Sequence, residues 1–328
     1  MSTATDTARI VVLGTGGTIA GTAASPDDVV GYRAGQIGID TLLAGVSVPP
    51  GTVLEAEQVA QIDSKDMTHA IWQTLAQRVA HHLARPEVAG IVITHGTDTL
   101  EETAWFLQRV LSPSKPVVLT GAMRPATARE ADGPQNLSDA ITVAREPGLS
   151  GVLAVLAGTV HDACDVRKAN PLRLDDAFAS GDAGPLGVIA GGRLRWLRLR
   201  GEAGSAAPQV LSNGTQVHPA LSRPADDWPR VEIITSHAGA TGALVRALCA
   251  DGVDGIVVAA TGNGSVNREL QQALVAAQAT GLAVLCSPRS GPGRAHPSAI
   301  DRLPMADGLT PAKTRVELML RLLERAGA

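Results

Sequence analysis

The sequence contains few aromatic residues and few cysteines. Only 2% of its 328 residues are aromatic, and Tyr32 is its single tyrosine, so Val, Leu, Ile and Ala must supply the core. The three cysteines, Cys164, Cys249 and Cys286, are far apart and form no Cys-x-x-Cys pair. This spacing indicates neither a disulfide framework nor a zinc site. We interpret all three as buried, small hydrophobic residues in a reducing compartment.

The sequence also lacks an excess of positive charge and any long apolar run. Its formal net charge of −4 provides no basic footprint for nucleic acid. No apolar run approaches the ~20 residues that are needed to span a bilayer. The N-terminal segment Met1–Arg9 is polar and has no apolar core of a secretory signal. We therefore expect a cytoplasmic protein with neither nucleic acid nor a membrane as a partner.

The remaining composition and patterning predict a globular α/β protein. Hydrophobic residues make up 45% of the chain and charged residues 18%, and this length is typical of two domains. The strand candidates are short apolar runs: Ile10–Leu13, Val88–Thr94, Pro116–Thr120, Gly151–Leu156, Val231–Thr235, Gly255–Ala260 and Leu282–Cys286. These runs alternate with segments of helical period, a pattern that favours parallel strands with crossover helices. We expect a larger N-terminal open-sheet domain with crossover helices and a smaller C-terminal parallel α/β domain.

Helix signals lie between these strands. Apolar residues at steps of four predict an amphipathic helix over Met67–Leu83. The segment Thr99–Glu102 has the form of a capping box, and Asp132 opens another helix. We expect His81 and His82, which have no ligand spacing, to be surface residues.

Helical and strand periodicity fades between residues 201 and 229. The stretch is rich in Gly, Ala, Ser and Pro, which is the composition of a linker. We predict an N-terminal catalytic domain over 1–205, a linker over 206–228 and a C-terminal domain over 229–328.

Two threonine-rich turns each follow an apolar strand candidate. The first is Gly14-Thr-Gly-Gly-Thr18, and the second is His95-Gly-Thr97-Asp98-Thr. In an open α/β sheet, ligands bind beyond the carboxyl ends of the strands. Hydroxyl nucleophiles need an adjacent base, and developing oxyanions need the exposed N–H groups that glycine turns supply. The pair of turns therefore indicates hydrolytic acyl transfer by a threonine nucleophile.

Each motif also has a less specific interpretation. A dinucleotide fingerprint would need glycine at position 19 or 18, where the chain has Ile19 and Thr18, so its spacing fails. The Thr97-Asp98 pair could be only a helix cap. A lone histidine near the end of a strand is more often structural, so we assign His95 no role. Considered by itself, Lys168 is interpreted as a solvent-exposed charge. If it packs against Asp98 and a threonine hydroxyl, it could instead accept a proton.

The chain resembles the bacterial-type L-asparaginases and glutaminase-asparaginases. The matching blocks occur in family order over nearly the whole chain. They are Thr15-Gly-Gly-Thr-Ile-Ala-Gly21, Tyr32-Arg-Ala-Gly35, Asp63-Ser-Lys-Asp-Met67, Ile93-Thr-His-Gly-Thr-Asp-Thr99, Thr120-Gly-Ala-Met-Arg-Pro125, Ala131-Asp-Gly-Pro-Gln-Asn-Leu137, Asp165-Val-Arg-Lys168 and Gly262-Asn-Gly-Ser265.

The resemblance implies five catalytic residues. Thr18 would be the nucleophile, on a mobile loop with Tyr32, which would orient or activate its hydroxyl. Thr97, Asp98 and Lys168 would form a second polar triad, in which Lys168, held by Asp98, activates the threonine.

The resemblance also implies how the substrate is held. Ser64 would bind the substrate α-carboxylate, and Asp98 would face the α-ammonium. Backbone groups near Thr97 and Ala122 would position the side-chain amide. Family members are tetramers of intimate dimers, and Ser265 would complete the site of a partner subunit. The reaction would convert L-asparagine to L-aspartate and ammonia, with L-glutamine as a side substrate and without a metal or organic cofactor.

Two departures from the family pattern bear on substrate preference. Lys65 follows Ser64 where the family often has glutamine or glutamate, and an inward cation would repel the substrate ammonium. The segment 287–297 contains no acidic residue, whereas some members supply a glutamate from this region.

Two alternative functions are compatible with the same motifs. One is an amidase that generates ammonia for a transamidation partner, which usually needs extra domains. The other is a non-catalytic amino-acid-binding or sensor protein on this fold. Retention of all five catalytic-type residues favours an enzyme.

Overall fold

The computed structural model describes residues 7–198, 218–290, 295–296, 303–306 and 308–326. The chain folds into two compact units, Met1–Ser205 and Ala206–Ala328. Of the predicted linker, 206–217 lies outside the described residues, and 218–228 contains two short 3-10 turns, Pro219–Leu221 and Ala225–Asp227. Residues 1–6, and positions 291–294 and 297 of the segment without acidic residues, also lie outside the described part.

The first unit is built on an eight-stranded sheet. Its strands, with those of a separate two-stranded sheet, are β1 (Ala8–Gly16), β2 (Thr52–Ile62), β3 (Val88–Thr94), β4 (Pro116–Thr120), β5 (Gly151–Leu156), β6 (Thr159–Asp162), β7 (Arg167–Lys168), β8 (Phe178–Ala179), β9 (Gly187–Ala190) and β10 (Arg193–Trp196). The order in the large sheet is β10-β9-β6-β5-β4-β3-β1-β2, and β7 pairs with β8. Its helices are α1 (Ile39–Ala44), α2 (His69–Leu83), α3 (Leu100–Leu111) and α4 (Gly133–Ala144).

The strand order reverses direction between β1 and β3. The chain passes from β1 to β2 on one side, and then returns to β3 on the other side of β1 before it continues to β4 and β5. All pairings among β1 to β5 are parallel. Such a reversal opens a crevice at the carboxyl ends of the two central strands, where α/β proteins bind ligands. The two threonine turns follow these two strands.

The sheet is mixed, because the chain doubles back after β5. A two-residue turn, Ala157–Gly158, connects β5 to β6, and both residues have positive φ, 47° and 69°. Two-residue hairpin turns of this hand match the twist of antiparallel strands. The pairing β5–β6 is therefore antiparallel, and the pairings β6–β9 and β9–β10 are antiparallel as well. The expectation of parallel strands is confirmed for β1 to β5, and the antiparallel strands β6, β9 and β10 were not predicted.

Helices cover the sheet of the first unit. A cluster of buried side chains joins the strand residues Ile10, Val92 and Val118 to Leu137 and Ile141 of α4. Packing on both faces explains why the central strands read as continuous apolar runs. Helices α2 and α3 contact each other, and Trp72 stacks on Phe106 with ring centroids 4.9 Å apart.

Three local expectations for the first unit need correction. Helix α2 begins at His69, not Met67, because Thr68 caps it by accepting from the Ile71 N–H. Thr99 occupies the predicted cap position of α3, but its hydroxyl donates to the Ser64 carbonyl instead of capping the helix. His82 is buried rather than on the surface.

The burial of His82 is explained by its two partners. Its Nε2 lies 2.8 Å from a Glu57 carboxylate oxygen, and its Nδ1 lies 3.0 Å from Arg85 Nη1. An arginine can only donate, so Nδ1 accepts and Nε2–H donates to Glu57. His81 is exposed, as expected.

The second unit is a parallel three-stranded sheet with helices. Its strands are β11 (Val231–Thr235), β12 (Gly255–Ala260) and β13 (Ala283–Pro288), in the order β11-β12-β13. Its helices are α5 (Ala243–Ala250), α6 (Arg268–Ala279) and α7 (Pro311–Ala326). Side chains of α5 and α6 pack on the sheet, and α7 contacts all three strands. The predicted fold class is confirmed for both units.

The cysteines are free, and two of the three are buried. Cys164 and Cys286 are buried as expected, but Cys249 on α5 is exposed, so the prediction for it is wrong. Among the described residues, no helix is both long and apolar enough to cross a membrane.

Candidate active site

The turn after β1 packs directly against the turn after β3. The Gly17 N–H donates to the Ile62 carbonyl at 2.8 Å, which ties the turn to the end of β2. A Cβ on Gly17 would stand 2.4 Å from the Cα of Gly96, and Gly17 has a φ of 81°. Only glycine fits such a close approach and such a backbone conformation. The two glycines therefore bring Thr18 next to the second threonine turn.

Thr18 is held in contact with the only tyrosine of the chain. It begins a 3-10 turn, Thr18–Ala20, and is buried. Its Oγ1 lies 2.7 Å from Tyr32 Oη. The loop between them closes where Thr22 and Arg33 exchange two backbone hydrogen bonds of 2.9 Å. At this distance the Tyr32 hydroxyl can orient the Thr18 hydroxyl and exchange a proton with it. A hydroxyl nucleophile needs such a partner.

Thr97, Asp98 and Lys168 form a second polar cluster. Lys168 Nζ donates to Thr97 Oγ1 at 2.9 Å and to Asp98 Oδ1 at 2.6 Å. Because the Thr97 oxygen accepts from Lys168, its own O–H proton is left to be donated to another group. The Asp98 side chain is 53% exposed, whereas that of Lys168 is 21% exposed. The cluster therefore presents a carboxylate to solvent and keeps the amine partly shielded.

Ser64 joins the end of β2 to this cluster. It begins a 3-10 turn, Ser64–Asp66, and is buried. Its Oγ accepts from the Asp98 N–H at 3.2 Å, and its carbonyl accepts from Thr99 Oγ1 at 2.8 Å. A Cβ on Gly96 would stand 2.5 Å from the Ser64 Oγ, so the glycine makes room for this hydroxyl. With its oxygen occupied as an acceptor, Ser64 can direct its proton at an anionic group.

Lys65 is turned toward two acidic residues. Its Nζ lies 2.5 Å from Asp63 Oδ2 and 3.7 Å from Asp66 Oδ2, and its side chain is 63% exposed. The hydrogen bond to Asp63 is the main reason that the pKa of Lys65 is raised, and Asp98 adds a smaller electrostatic contribution. The cation that departs from the family pattern is therefore paired with its own local carboxylates.

Ala122 lies in the turn after β4 and is fully buried. The Asp132 carboxylate accepts from the N–H groups of Met123 and Arg124, both at 2.9 Å. Asn136 Nδ2 donates to the Gly121 carbonyl at 2.9 Å. The start of α4 thus fixes the backbone on both sides of Ala122.

His95 is buried behind the second threonine turn. Trp72 Nε1 can only donate, and it does so to Thr103 Oγ1 at 2.8 Å. The Thr103 hydroxyl must then donate to His95 Nε2 at 3.0 Å, and His95 Nδ1–H donates to the Gly96 carbonyl at 2.7 Å. Burial lowers the pKa of His95 to about 4, so the ring is neutral at physiological pH. This chain of bonds fits the structural interpretation of His95.

Ser265 lies in the second unit, in a tight turn after β12. Its backbone exchanges hydrogen bonds of 2.7 and 2.9 Å with Thr261, and it is exposed. The other predicted site residues all lie in the first unit.

Sequence reasoning missed residues that support the site from behind. Asp132 and Asn136 belong to a matching block but received no role. Glu101, in the first turn of α3, accepts the Lys168 backbone N–H at 2.8 Å. The position of Glu101, three residues after Asp98, is visible in the sequence. Its partner Lys168 is 67 residues away along the chain, so the sequence does not reveal their contact.

No group of three or more His, Cys, Asp or Glu residues suited to a metal ion occurs in the part of the chain that the structure describes.

Comparison with known proteins assigns this arrangement to a family. A model of the N-terminal asparaginase domain matches residues 9–200, and a model of the glutaminase/asparaginase C-terminal domain matches residues 230–326. The chain belongs to the asparaginase family. Both domains of the family are therefore present in this asparaginase-family protein, in the family order.

Individual relatives resemble the chain over nearly its full length. L-asparaginase 2 of Escherichia coli is 36% identical over 96% of this chain and 89% of the relative. A probable periplasmic L-asparaginase of Haemophilus influenzae is 37% identical over 99% of this chain and 91% of the relative. The crystal structure of a probable cytoplasmic L-asparaginase from Campylobacter jejuni is 37% identical, with a TM-score of 0.83, and the match covers 96% and 95% of the two chains.

Proposed function

We propose that this protein hydrolyses L-asparagine to L-aspartate and ammonia, with Thr18 as the nucleophile. The proposal is supported by the pair of hydroxyl centres on two turns that pack against each other in an asparaginase-family chain. The Thr18 hydroxyl is hydrogen-bonded to the Tyr32 hydroxyl, and the turn that carries Thr18 packs on the turn that carries Thr97. Acyl transfer from an amide needs a positioned hydroxyl, a proton path and donors for an oxyanion.

In the first half-reaction, Thr18 Oγ1 attacks the carbonyl carbon of the substrate side-chain amide. The Thr18 proton passes by way of Tyr32, and the amide nitrogen takes up a proton and leaves as ammonia. The C–N bond breaks as the new C–O bond becomes an ester on Thr18. Backbone N–H groups at the glycine turns stabilise the oxyanion that forms on the way.

In the second half-reaction, water attacks the ester carbonyl and aspartate leaves. The Thr97 hydroxyl, with Lys168 and Asp98 behind it, relays the proton that the water gives up. Thr18 regains its proton when the ester C–O bond breaks. General acid–base assistance of this kind contributes about 10²–10⁴-fold to a rate.

We assign substrate binding to polar groups around the same crevice. The Ser64 hydroxyl binds the α-carboxylate, and the exposed Asp98 carboxylate binds the α-ammonium. Backbone groups near Thr97 and Ala122 hold the side-chain amide. Lys65 contributes little to the site because Asp63 and Asp66 already pair with it. We also propose L-glutamine as a weaker substrate, in line with the glutaminase/asparaginase name of the C-terminal domain model.

We propose a homotetramer of intimate dimers in which Ser265 completes the site of a partner subunit. Ser265 is exposed in a turn held by Thr261, so it is available for such a contact. Co-expression of a Thr18→Ala subunit with a Ser265→Ala subunit should restore part of the activity that each variant lacks alone, since a hybrid dimer contains one intact site. Full activity in a species that light scattering identifies as a monomer would contradict this assembly.

We retain the predicted division into a catalytic domain over 1–205, a linker over 206–228 and a C-terminal domain over 229–328. We also propose a cytoplasmic location, which the name of the Campylobacter relative states for that protein. Because the name of the Haemophilus relative states the periplasm, cell fractionation of the native host is the test. Recovery of the protein with periplasmic markers would overturn it.

The test of the activity is steady-state release of ammonia and aspartate by the purified protein. Substrates should include L-asparagine, D-asparagine, L-glutamine and short β-amide analogues. We expect equimolar ammonia and aspartate from L-asparagine and slower turnover of L-glutamine. Binding of L-asparagine without ammonia release would indicate a sensor protein on this fold and would refute the enzyme.

A further inference from the structure

Lys168 lies on a strand that is not part of the main sheet. Strand β7 consists of Arg167 and Lys168 and pairs with β8 in a two-stranded sheet. An isolated pair of short strands is only marginally stable in water. The Lys168 ammonium nevertheless needs a fixed position, because it reaches Thr97 and Asp98 at hydrogen-bond distance.

The additional attachment comes from helix α3. The Glu101 carboxylate accepts the Lys168 backbone N–H at 2.8 Å. Helix α3 starts at Leu100, and only its N-cap Thr99 separates it from the Thr97-Asp98 pair, so Glu101 and Asp98 are fixed by the same local backbone. Hydrogen bonds to a carboxylate are stronger than those between neutral groups. One helix start thus holds Lys168 at both ends, the backbone through Glu101 and the Nζ through Asp98.

We propose that Glu101 is a positioning residue that sets the reach of Lys168 to Thr97. The inference rests on the proposed function, in which Thr97 and Lys168 relay a proton. Without the Glu101 carboxylate, the Lys168 N–H loses its acceptor and β7 can shift relative to α3. A displacement of about 1 Å at a catalytic group can cost about 10²-fold in rate.

The effect should appear in kcat rather than in KM. In the proposed function, Ser64 and Asp98 bind the α-carboxylate and α-ammonium of the substrate. The Ser64 contacts do not involve Glu101, and when Lys168 shifts Asp98 keeps the hydrogen bond from its backbone N–H to Ser64 Oγ. We expect Glu101→Ala to lower kcat by about 10–100-fold and to change KM by less than about 3-fold. Glu101→Gln, which keeps a carbonyl oxygen in place, should retain kcat within about 5-fold of the wild type.

Two further variants separate positioning from general damage. Glu101→Asp keeps the charge but withdraws the acceptor by one C–C bond, about 1.5 Å, and should lower kcat by about 10-fold even if the alanine variant does not fold. Glu102→Ala, on the same turn of α3, is the matched control and should keep kcat within about 3-fold. Equal losses in Glu101→Gln and Glu101→Asp, or a loss in the control as large as that of Glu101→Ala, would overturn the inference.

A double-mutant cycle with Lys168→Met provides the sharpest test. If Glu101 acts through Lys168, adding Glu101→Ala to Lys168→Met should change the residual kcat by less than about 2-fold, whereas independent effects would multiply. Multiplying losses would overturn the positioning role. Near wild-type kcat in Lys168→Met alone would instead refute the proposed triad. A large loss in Lys168→Met together with an unaffected Glu101→Ala would refute only the role of Glu101.

Discussion

Replacement of Gly17 by alanine should damage both the stability and the activity of this protein. Gly17 has φ 81° and ψ −173°, a combination that is essentially restricted to glycine. Forcing alanine into it costs about 1–3 kcal/mol. The new Cβ would also stand 2.4 Å from the Cα and N of Gly96, which are backbone atoms that can yield only if the turn moves. Overpacking of this kind costs a further ~1–3 kcal/mol.

The two costs together predict that Gly17→Ala lowers the free energy of unfolding by about 2–6 kcal/mol. For domains of about 150–250 residues, each kcal/mol lowers Tm by about 2–4 °C, so Tm should fall by at least ~4 °C. Because the displaced turn carries Thr18, kcat for ammonia release should fall by about 10²-fold or more. Thermal melts and a coupled ammonia assay measure both quantities.

Gly45→Ala is the matched control for this substitution. A Cβ on Gly45 meets nothing within 4 Å, and its φ of −97° suits any residue. The control should therefore change the free energy of unfolding by no more than about 0.5 kcal/mol and leave kcat unaltered. Wild-type Tm and kcat in Gly17→Ala would show that the close packing of the two turns does not require glycine at position 17.

Three more predictions concern residues around the site. Lys65→Gln should change KM for L-asparagine by less than about 3-fold, because Asp63 and Asp66 already pair with an exposed cation; a tenfold fall in KM would mean that the lysine acts on the substrate ammonium. Burial lowers the pKa of His95 from 6.5 to about 4. Between pH 6.5 and pH 4, His95 is therefore protonated in the unfolded chain but stays neutral in the folded chain. Its contribution to stability is therefore intact above pH 6.5 and is lost as the pH falls toward 4, by about 3 kcal/mol in total. Urea melts of the wild type should show a steeper loss over this window than those of His95→Gln, and parallel pH profiles would contradict the assignment. Asp132→Ala removes the acceptor of two backbone N–H groups beside Ala122 and should cost about 1–3 kcal/mol, while Asp132→Asn should cost less; an unchanged denaturation midpoint in the alanine variant would show that water replaces the carboxylate.

The sequence predicts the central strands well because they are buried on both faces. The predicted bounds agree with the observed ones for β3, β4, β5 and β12. A short continuous run of Val, Ile and Leu is typical of a strand that is buried on both faces of a sheet. Strand β2 was missed. It lies at the edge of the sheet and reads Thr-Val-Leu-Glu-Ala-Glu-Gln-Val-Ala-Gln-Ile, in which Glu, Ala and Gln are poor strand formers.

The short antiparallel strands β6 to β10 were also missed, because two to four residues are too few to show a period. The β5–β6 pairing follows the Ala157–Gly158 turn, which is a weaker hairpin signal than Asn-Gly, and the β9–β10 pairing follows the Gly191–Gly192 turn.

Local motifs predict the parts of the site that are close in sequence. Thr18, Thr97 and Asp98 lie in strand-end turns, and the parallel sheet brings such turns to one edge. The contact between Lys168 and Thr97 spans 71 positions, and no local pattern could reveal it. The resemblance to the family supplied that pairing. Lys65 shows the opposite case, since its neighbours Asp63 and Asp66 are visible in the sequence but their pairing with the amine is not.

The assignment of Thr18 is tested most directly by ammonia release from L-asparagine in purified wild type, Thr18→Ser and Thr18→Ala with matching Tm values. Alanine removes one hydroxyl from the turn after β1, so folding should be preserved while the nucleophile is lost. We expect Thr18→Ser to keep measurable turnover and Thr18→Ala to lose at least ~10³-fold in kcat, as removal of a covalent nucleophile does. A folded Thr18→Ala protein with kcat within tenfold of the wild type would contradict the account.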